Sequence, residues 1–265
     1  MMQRAGIILW AMLLLAVCAT AAGGAQNDNT LSKIARANEL YHEKNYQSAA
    51  ESYEALIAAG LENGYLYYNL GNSYMRLGQT GRGILNYLHA KTLLPRDENL
   101  DANLRYAVQQ TVDQIEPPVR LGSPARLGSP LGGFVSGVLF WMESLNRVEH
   151  LQFLVAFNVI FWVVLIGWLF YRNPAWDITR KTAMGFLLLA MVSAGAKYYF
   201  AGEQSIGVVL ANEVDIKSDK GAQNVTLFQL HAGAIVSVGA EEGGWVRVSL
   251  GTDKTGWAPK ETVGF

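Results

Sequence analysis

The chain is poor in the residues that do chemistry. Its one cysteine, Cys18, lies in an apolar N-terminal stretch, so the rest of the protein has neither a disulfide nor a thiol nucleophile. That economy fits an oxidising compartment, where a lone thiol is a liability. The histidines His42, His89, His150 and His231 are scattered without metal-ligand spacing. No G-x-S-x-G, H-E-x-x-H, phosphate-loop or dinucleotide motif occurs. Glu241 and Glu242 are adjacent, so on a strand they point to opposite faces and cannot act as a paired acid and base. No catalytic residue, metal ligand or cofactor site is therefore expected, and the chain does not read as an enzyme. Charge is scarce as well. Charged residues make up 16% of the chain, and 21 basic against 22 acidic residues leave no basic footprint for nucleic acid. A hydrophobic fraction of 51% departs from the soluble average in the direction of membrane segments.

What the chain does have is two long apolar runs, Leu151–Phe170 and 182–200. Each is about long enough, at roughly 1.5 Å per residue, to cross a bilayer core as a helix. The first carries only Gln152 and Asn158 as strongly polar residues, and the second only Lys197. The spans are expected at 147–171 and 182–200, joined by a loop at 172–181 in which Pro174 enforces a turn. That loop holds Arg172, Arg180 and Lys181 against Asp177. Short basic loops stay in the cytoplasm, which places both outer ends of the hairpin, and all that is attached to them, on the opposite side. The competing reading is a helical hairpin buried in a large soluble core; the run lengths favour the membrane.

The first 22 residues have the layout of a secretory signal peptide. Arg4 is followed by an apolar core from Ile7 to Val17, then by small residues with Ala19-Thr20-Ala21 as an A-x-A site. Leu15-Ala16-Val17-Cys18 also resembles a lipoprotein box, although Val17 stands where that box wants a small residue. Cleavage and lipidation at Cys18 both remain open, and either exports the segment C-terminal to the leader.

Residues 30–112 repeat themselves. Ala37-Asn38 matches Gly71-Asn72, Tyr46 matches Thr80, Ala49 matches Gly83, Tyr53 matches Tyr87 and Leu56 matches Ala90, each pair 34 residues apart. Small residues at these positions let two antiparallel helices approach, large tyrosines fill the space beside them, and Pro95 ends the second helix. An amphipathic run after Pro95, ENLDANLRYAVQQTVDQ, reads as a capping helix. Tyr67, Leu70, Gly71, Tyr74, Gly83, Tyr87, Ala90 and Pro95 resemble the tetratricopeptide repeat signature. The resemblance implies a groove lined by the first helix of each pair, with Asn38, Tyr41, Tyr65, Tyr68, Asn69, Asn72 and Arg76 facing a peptide of a partner protein. Ile34, His42 and Met75 fall at groove positions too. The basic partners of a carboxylate clamp are missing, since Ile34, Asn99 and Asn103 take their places. Packing of these aromatics within the array stands as the equal alternative.

A Gly/Pro linker at 113–133 writes one element twice, RLGSPA and RLGSPL. An interfacial helix is expected at 134–146 around Trp141. Asn146 and Glu149 have capping-box spacing for the first span. Ala190 and Ala194, one turn apart, permit close packing on the helix of Gly167, while Lys197, Tyr198 and Tyr199 suit the outer interface.

From 203 to 265 the period changes to two. About five short apolar-alternating runs separated by turn residues predict a small β-barrel or sandwich, with His231 in a turn. Gly244-Trp245-Val246-Arg247-Val248 and Gly256-Trp257-Ala258-Pro259 resemble a bacterial SH3 domain. The resemblance implies a ligand groove presenting Trp245 and Trp257, for proline-rich segments or cell-wall peptides. Half-buried structural tryptophans are the other reading.

The expected whole is a multidomain membrane protein: an all-α helical repeat, two transmembrane helices and a C-terminal all-β SH3-like barrel. In this order the chain resembles the BatE-type proteins of the Bacteroides aerotolerance operon. That resemblance implies a non-enzymatic inner-membrane scaffold with both domains periplasmic. It would act beside von Willebrand A-domain membrane proteins and a MoxR-type ATPase system. A wall-binding sensor or anchor, holding peptidoglycan through the SH3-like domain, is the alternative. The partners implied are the lipid bilayer, other proteins and the wall, without nucleic acid.

Overall fold

A computed structural model describes residues 24–113, 115, 145–171, 173–201, 205–221, 223–251 and 254–265. The expected leader at 1–22, most of the linker at 113–133 and nearly all of the interfacial helix at 134–146 lie outside the described residues. Among the described residues, seven α-helices precede an antiparallel sheet of seven strands. The chain divides into two compact units, Met1–Glu62 and Asn63–Phe265.

The first unit is a helical hairpin of α1 (Gly24–His42) and α2 (Tyr46–Ala58). Asn45 caps α2 by accepting from the Ser48 amide. Ala37 and Ala49 are fully buried and let the helices close, and Tyr53 fills the space between them. In the second unit α3 (Gly64–Arg76) and α4 (Thr80–Leu93) make the same structure again. A Cβ on Gly71 would lie 2.7 Å from the Tyr87 ring and 3.1 Å from the Gly83 carbonyl oxygen, so this position requires glycine, whereas one on Gly83 would meet Met75 Sδ at 2.6 Å, the end of a flexible side chain that can shift.

The two hairpins agree bond for bond. The Asn45 amide donates to Leu40 O at 2.9 Å and the Gln79 amide to Tyr74 O at 2.9 Å; Ala49 N reaches Asn45 O and Gly83 N reaches Gln79 O, both at 3.0 Å. The turn residue has positive φ in each, 73° at Gly78 and 64° at Lys44. Lys44 thus holds a conformation that costs an L-residue with a Cβ about 1 kcal/mol. Lys44→Gly should stabilise the first hairpin by at most about 0.5 kcal/mol, net of the entropy that glycine adds to the unfolded chain. A higher thermal midpoint in the variant checks it.

After Pro95, Asp97 caps α5 (Glu98–Gln109) by accepting from the Leu100 amide. The helix stops short of the predicted run, so Thr111, Val112 and Asp113 leave it as irregular backbone. Lys91 of α4 and Asp101 of α5 form an ion pair across the hairpin.

Next comes a third, longer helical hairpin, α6 (Arg147–Phe170) and α7 (Pro174–Ala201). The capping box at Asn146 and Glu149 is complete, each side chain satisfying the other residue's amide. The expected ten-residue connector is mostly helix instead. α6 ends at Phe170 and Pro174 opens α7, where its missing N–H costs nothing, so the chain turns between them. Asn173 Oδ1 accepts from the Trp176 amide at 3.0 Å and holds that turn. Among the described residues one helix, α6, is long and apolar enough to cross a membrane, with a mean hydropathy of 2.5 over its best window. Ala183, Ala190, Ser193 and Ala194 form the buried stripe of α7. Gly167 meets Trp176 rather than that stripe: a Cβ there would sit 2.5 Å from the indole. Phe157 stacks on Phe186 across the pair at 5.6 Å. The large side chains Val155, Val159, Trp162 and Val163 of α6, and Phe186, Leu188 and Val192 of α7, remain exposed.

The sheet contains β1 (Ser205–Val209), β2 (Glu213–Lys217), β3 (Thr226–His231), β4 (Ile235–Glu242), β5 (Trp245–Leu250), β6 (Lys254–Pro259) and β7 (Val263–Gly264). Its order is β3-β2-β6-β5-β4-β1-β7. The ends β3 and β7 do not pair, so the predicted barrel is an open curled sheet, and its strands number seven rather than about five. Alternate residues Val209, Val236, Val238, Val246 and Val248 fill a core inside the curl.

The outward residues of β1 and β4 do something the period-two pattern does not announce. Val208 and Ile235 are buried in one cluster with Ile84 and Tyr87 of α4 and Leu100, Leu104 and Val108 of α5. The helical and β parts of the second unit therefore share a hydrophobic core instead of standing as separate modules. Two glycines make the approach feasible. A Cβ on Gly81 would be 2.6 Å from the Val209 carbonyl oxygen, and one on Gly264 would be 2.5 Å from Leu85 Cδ2.

Candidate functional site

The residues expected in a peptide groove sit on α1 and α3. In the first unit Asn38 is half-buried and accepts a hydrogen bond from the Tyr53 hydroxyl at 2.7 Å. Tyr41 packs edge-on against Tyr46 at 5.3 Å. In the second unit Asn72 repeats the first bond, accepting from the Tyr87 hydroxyl at 2.7 Å. Both asparagines thus pin the two helices of their own hairpin.

Asn72 is also the centre of a wider polar cluster. Asn103 of α5 donates its amide to Asn72 Oδ1 at 3.0 Å and to the Tyr68 hydroxyl at 2.9 Å. The Tyr68 and Tyr87 rings lie 6.0 Å apart. Asn103, which reads in sequence as a missing clamp residue, is thereby the element that fastens α5 to α3. No periodicity signals this; only the contact of three helices brings the groups together. The residues left to face outward are Tyr65, 55% exposed, and Arg76. Asn69 is half-buried, and its carbonyl accepts from the Ser73 hydroxyl at 2.8 Å. On α4, burial holds the His89 imidazole below its ordinary pKa, and the ring lies against Tyr67 at 5.4 Å.

The second candidate surface is the outward face of β5 and β6. Trp245 stands directly across from Pro259, and Arg247 across from Trp257, so these four share one face. Both tryptophans are half-buried. Lys217 is paired with Trp257 from β2, and the Lys220 ammonium sits over the Trp257 ring at 5.1 Å. Ion pairs rim the face: Lys220 with Glu242, and Lys260 with Glu241. The Glu242 carboxylate raises the Lys220 pKa. Asp215 is held below the usual carboxylate range, first by the Gln229 amide and then by Lys217. Glu241 and Glu242 bind different lysines, so they do not converge. Sequence singled out Trp245 and Trp257 but missed Pro259, whose position opposite Trp245 depends on strand register.

Between the two parts of the second unit runs a polar cleft of about 440 Å³, lined by Gln79, Arg82, Gln110, Asn212 and His231 among others. His231 is the last residue of β3, not a turn residue as predicted. Asp113 accepts both from its backbone amide, at 2.7 Å, and at its ring Nδ1, at 3.2 Å. Among the described residues no group of three or more His, Cys, Asp or Glu could hold a metal ion. No protein-family model matches the chain, and no curated protein matches it.

Proposed function

We propose that this protein is a membrane-anchored scaffold without catalytic activity, in which a tetratricopeptide-type repeat and an SH3-type sheet present binding surfaces on one side of a bilayer. The observation that carries the reading is the long hairpin. Both of its helices turn large apolar side chains outward, with Val163 62% and Val192 68% exposed. Surfaces of that size and character in a monomer mark burial in lipid or against another protein. The aromatics of the tip, Trp168, Tyr171 and Trp176, together with Arg180 over the Trp168 ring at 4.2 Å, suit the headgroup level. On this reading α6 and α7 are both spans, the basic tip is cytoplasmic, and the repeat and sheet are periplasmic. The order of parts supports a Bat-type aerotolerance or stress complex. Its expected partners are von Willebrand A-domain membrane proteins and a MoxR-type ATPase system.

The repeat of the second unit then supplies a protein-binding surface through Tyr65, Asn69 and Arg76, with Asn72 serving as an internal pin; Tyr41 belongs to the first unit, where Asn38 is the corresponding pin. A photo-crosslinking residue at Tyr65 in native membranes should join to a von Willebrand A-domain membrane protein. A second reading, wall binding, rests on the face built by Trp245, Pro259, Arg247 and Trp257. The same experiment with the crosslinker at Trp245 separates the two. Products with wall peptides from Trp245 and none from Tyr65 would replace the scaffold by the anchor. Co-sedimentation with purified wall must use the full chain, because Val208 and Ile235 bury against helices and an isolated sheet would lose that cover.

A further inference from the structure

We infer that the polar cleft between the helices and the sheet of the second unit binds the free carboxyl end of a short peptide. Its volume of about 440 Å³ falls in the range of sites for small organic ligands and far exceeds the roughly 30 Å³ share of one water molecule. None of its lining residues belongs to the repeat surface around Tyr65 or to the tryptophan face of β5 and β6, so the site is additional to both. Charge decides the sign of the ligand. Among the described residues no Asp or Glu lines the cleft, whereas Arg82 does. The Arg82 guanidinium is held by Tyr74 rather than by a carboxylate. Its Nη1 donates to the Tyr74 hydroxyl at 3.4 Å, and the group lies 5.4 Å from the centroid of that ring. Tyr74 is itself buried, which makes it a fixed support. The other N–H donors of the planar fork suit a carboxylate, which accepts two of them in parallel.

His231 sets what must stand beside that carboxylate. Asp113 accepts from the His231 backbone amide and at the ring Nδ1, which orients the imidazole and puts its hydrogen on Nδ1. His231 lines the cleft and Asp113 does not, so the ring nitrogen left to the cleft is Nε2, an acceptor in this tautomer. A carboxylate with an N–H donor next to it answers both groups. The last residue of a peptide carries that combination, its own amide and its carboxylate standing on the same Cα. The side-chain amides of Gln79, Gln110 and Asn212 line more of the cleft. Each can both donate and accept, as the preceding peptide groups of such a ligand require.

The test is calorimetric titration of the full chain in detergent micelles with N-acetyl-Ala-Ala, its C-terminal amide, the ester analogue N-acetyl-Ala-lactate and inorganic phosphate. The free acid should bind about tenfold more tightly than the amide. Arg82→Gln should remove that preference, and Arg82→Lys, which keeps the charge without the fork, should retain part of it. The ester analogue has no N–H beside its carboxylate and should bind the parent chain about fivefold more weakly than the free acid. His231→Asn keeps a donor toward Asp113 and loses the acceptor at the Nε2 position, so it should erase the difference between acid and ester. Matched circular dichroism and unfolding midpoints establish that each variant is folded. The proposal is overturned by no binding of the free acid at millimolar concentration, by equal affinity for acid and amide, or by an acid preference that survives Arg82→Gln. Tighter binding of phosphate than of the peptide also overturns it.

Discussion

Tyr87→Ala should destabilise the second unit by about 3–5 kcal/mol, the range for removing a large aromatic side chain from a core. Tyr87 is 2% exposed, lies against Gly71 and belongs to the cluster that also contains Val208 and Ile235 of the sheet. Loss of its ring opens space against a glycine, which has no side chain to move in. Tyr87→Phe keeps the ring and removes the hydroxyl that bonds Asn72, so it should cost about 1 kcal/mol. Because the core is continuous, fluorescence of Trp245 and Trp257 should report the Tyr87→Ala loss at the same denaturant concentration as helical circular dichroism. Two separate transitions would refute the shared core.

Gly233→Ala is expected to be the most damaging change in the sheet, at about 2–4 kcal/mol for backbone strain plus overpacking. Gly233 has φ +91°, and an added Cβ would meet Thr111 Cγ2 at 2.4 Å and Ile84 Cδ1 at 3.0 Å. Gly243, at φ +59° in the same sheet, has nothing within 4 Å of an added Cβ. Gly243→Ala carries the strain alone and should cost about 1 kcal/mol. The difference between the two substitutions, measured as the shift in unfolding midpoint, gives the steric cost of crowding the seam. Equal shifts would mean that the helices and sheet do not meet at Gly233.

The repeat was legible in the sequence because its determinants are local. Ala37, Gly71, Ala49 and Gly83 mark where helices touch, and their spacing survives into matched bonds from Leu40 to Asn45 and from Tyr74 to Gln79. The β segment was legible for the same reason, since alternation at Val246, Val248 and Ala258 needs only a strand with one face covered. Closure of the barrel was not, because it depends on whether β3 and β7 meet, and no residue in either announces a partner. The seam was hidden more deeply. Val208 and Ile235 read as the outward half of an alternating strand, and Ile84 and Val108 as an ordinary helix face. Their pairing joins positions a hundred or more residues apart. Among the candidate binding residues, Asn38 and Asn72 looked like ligand contacts because they fall on groove positions. Register with Tyr53 and Tyr87 assigns them to the hairpins themselves, and of the groove positions His42, Tyr65 and Arg76 stand exposed.

The shared core also dictates an order of events during synthesis. Ile84, Leu104 and Val108 leave the ribosome well before Val208 and Ile235, and the long apolar hairpin is made in between. Until the last strands arrive, the outer face of α4 and α5 has no cover and is exposed to self-association, as incomplete cores are in large chains. If the hairpin enters a bilayer, the late-made sheet must be delivered to the same side as the waiting helices before that face can close. Maturation of the second unit is then tied to completed insertion, and a chain truncated after α7 would present a sticky helical surface rather than a smaller working protein.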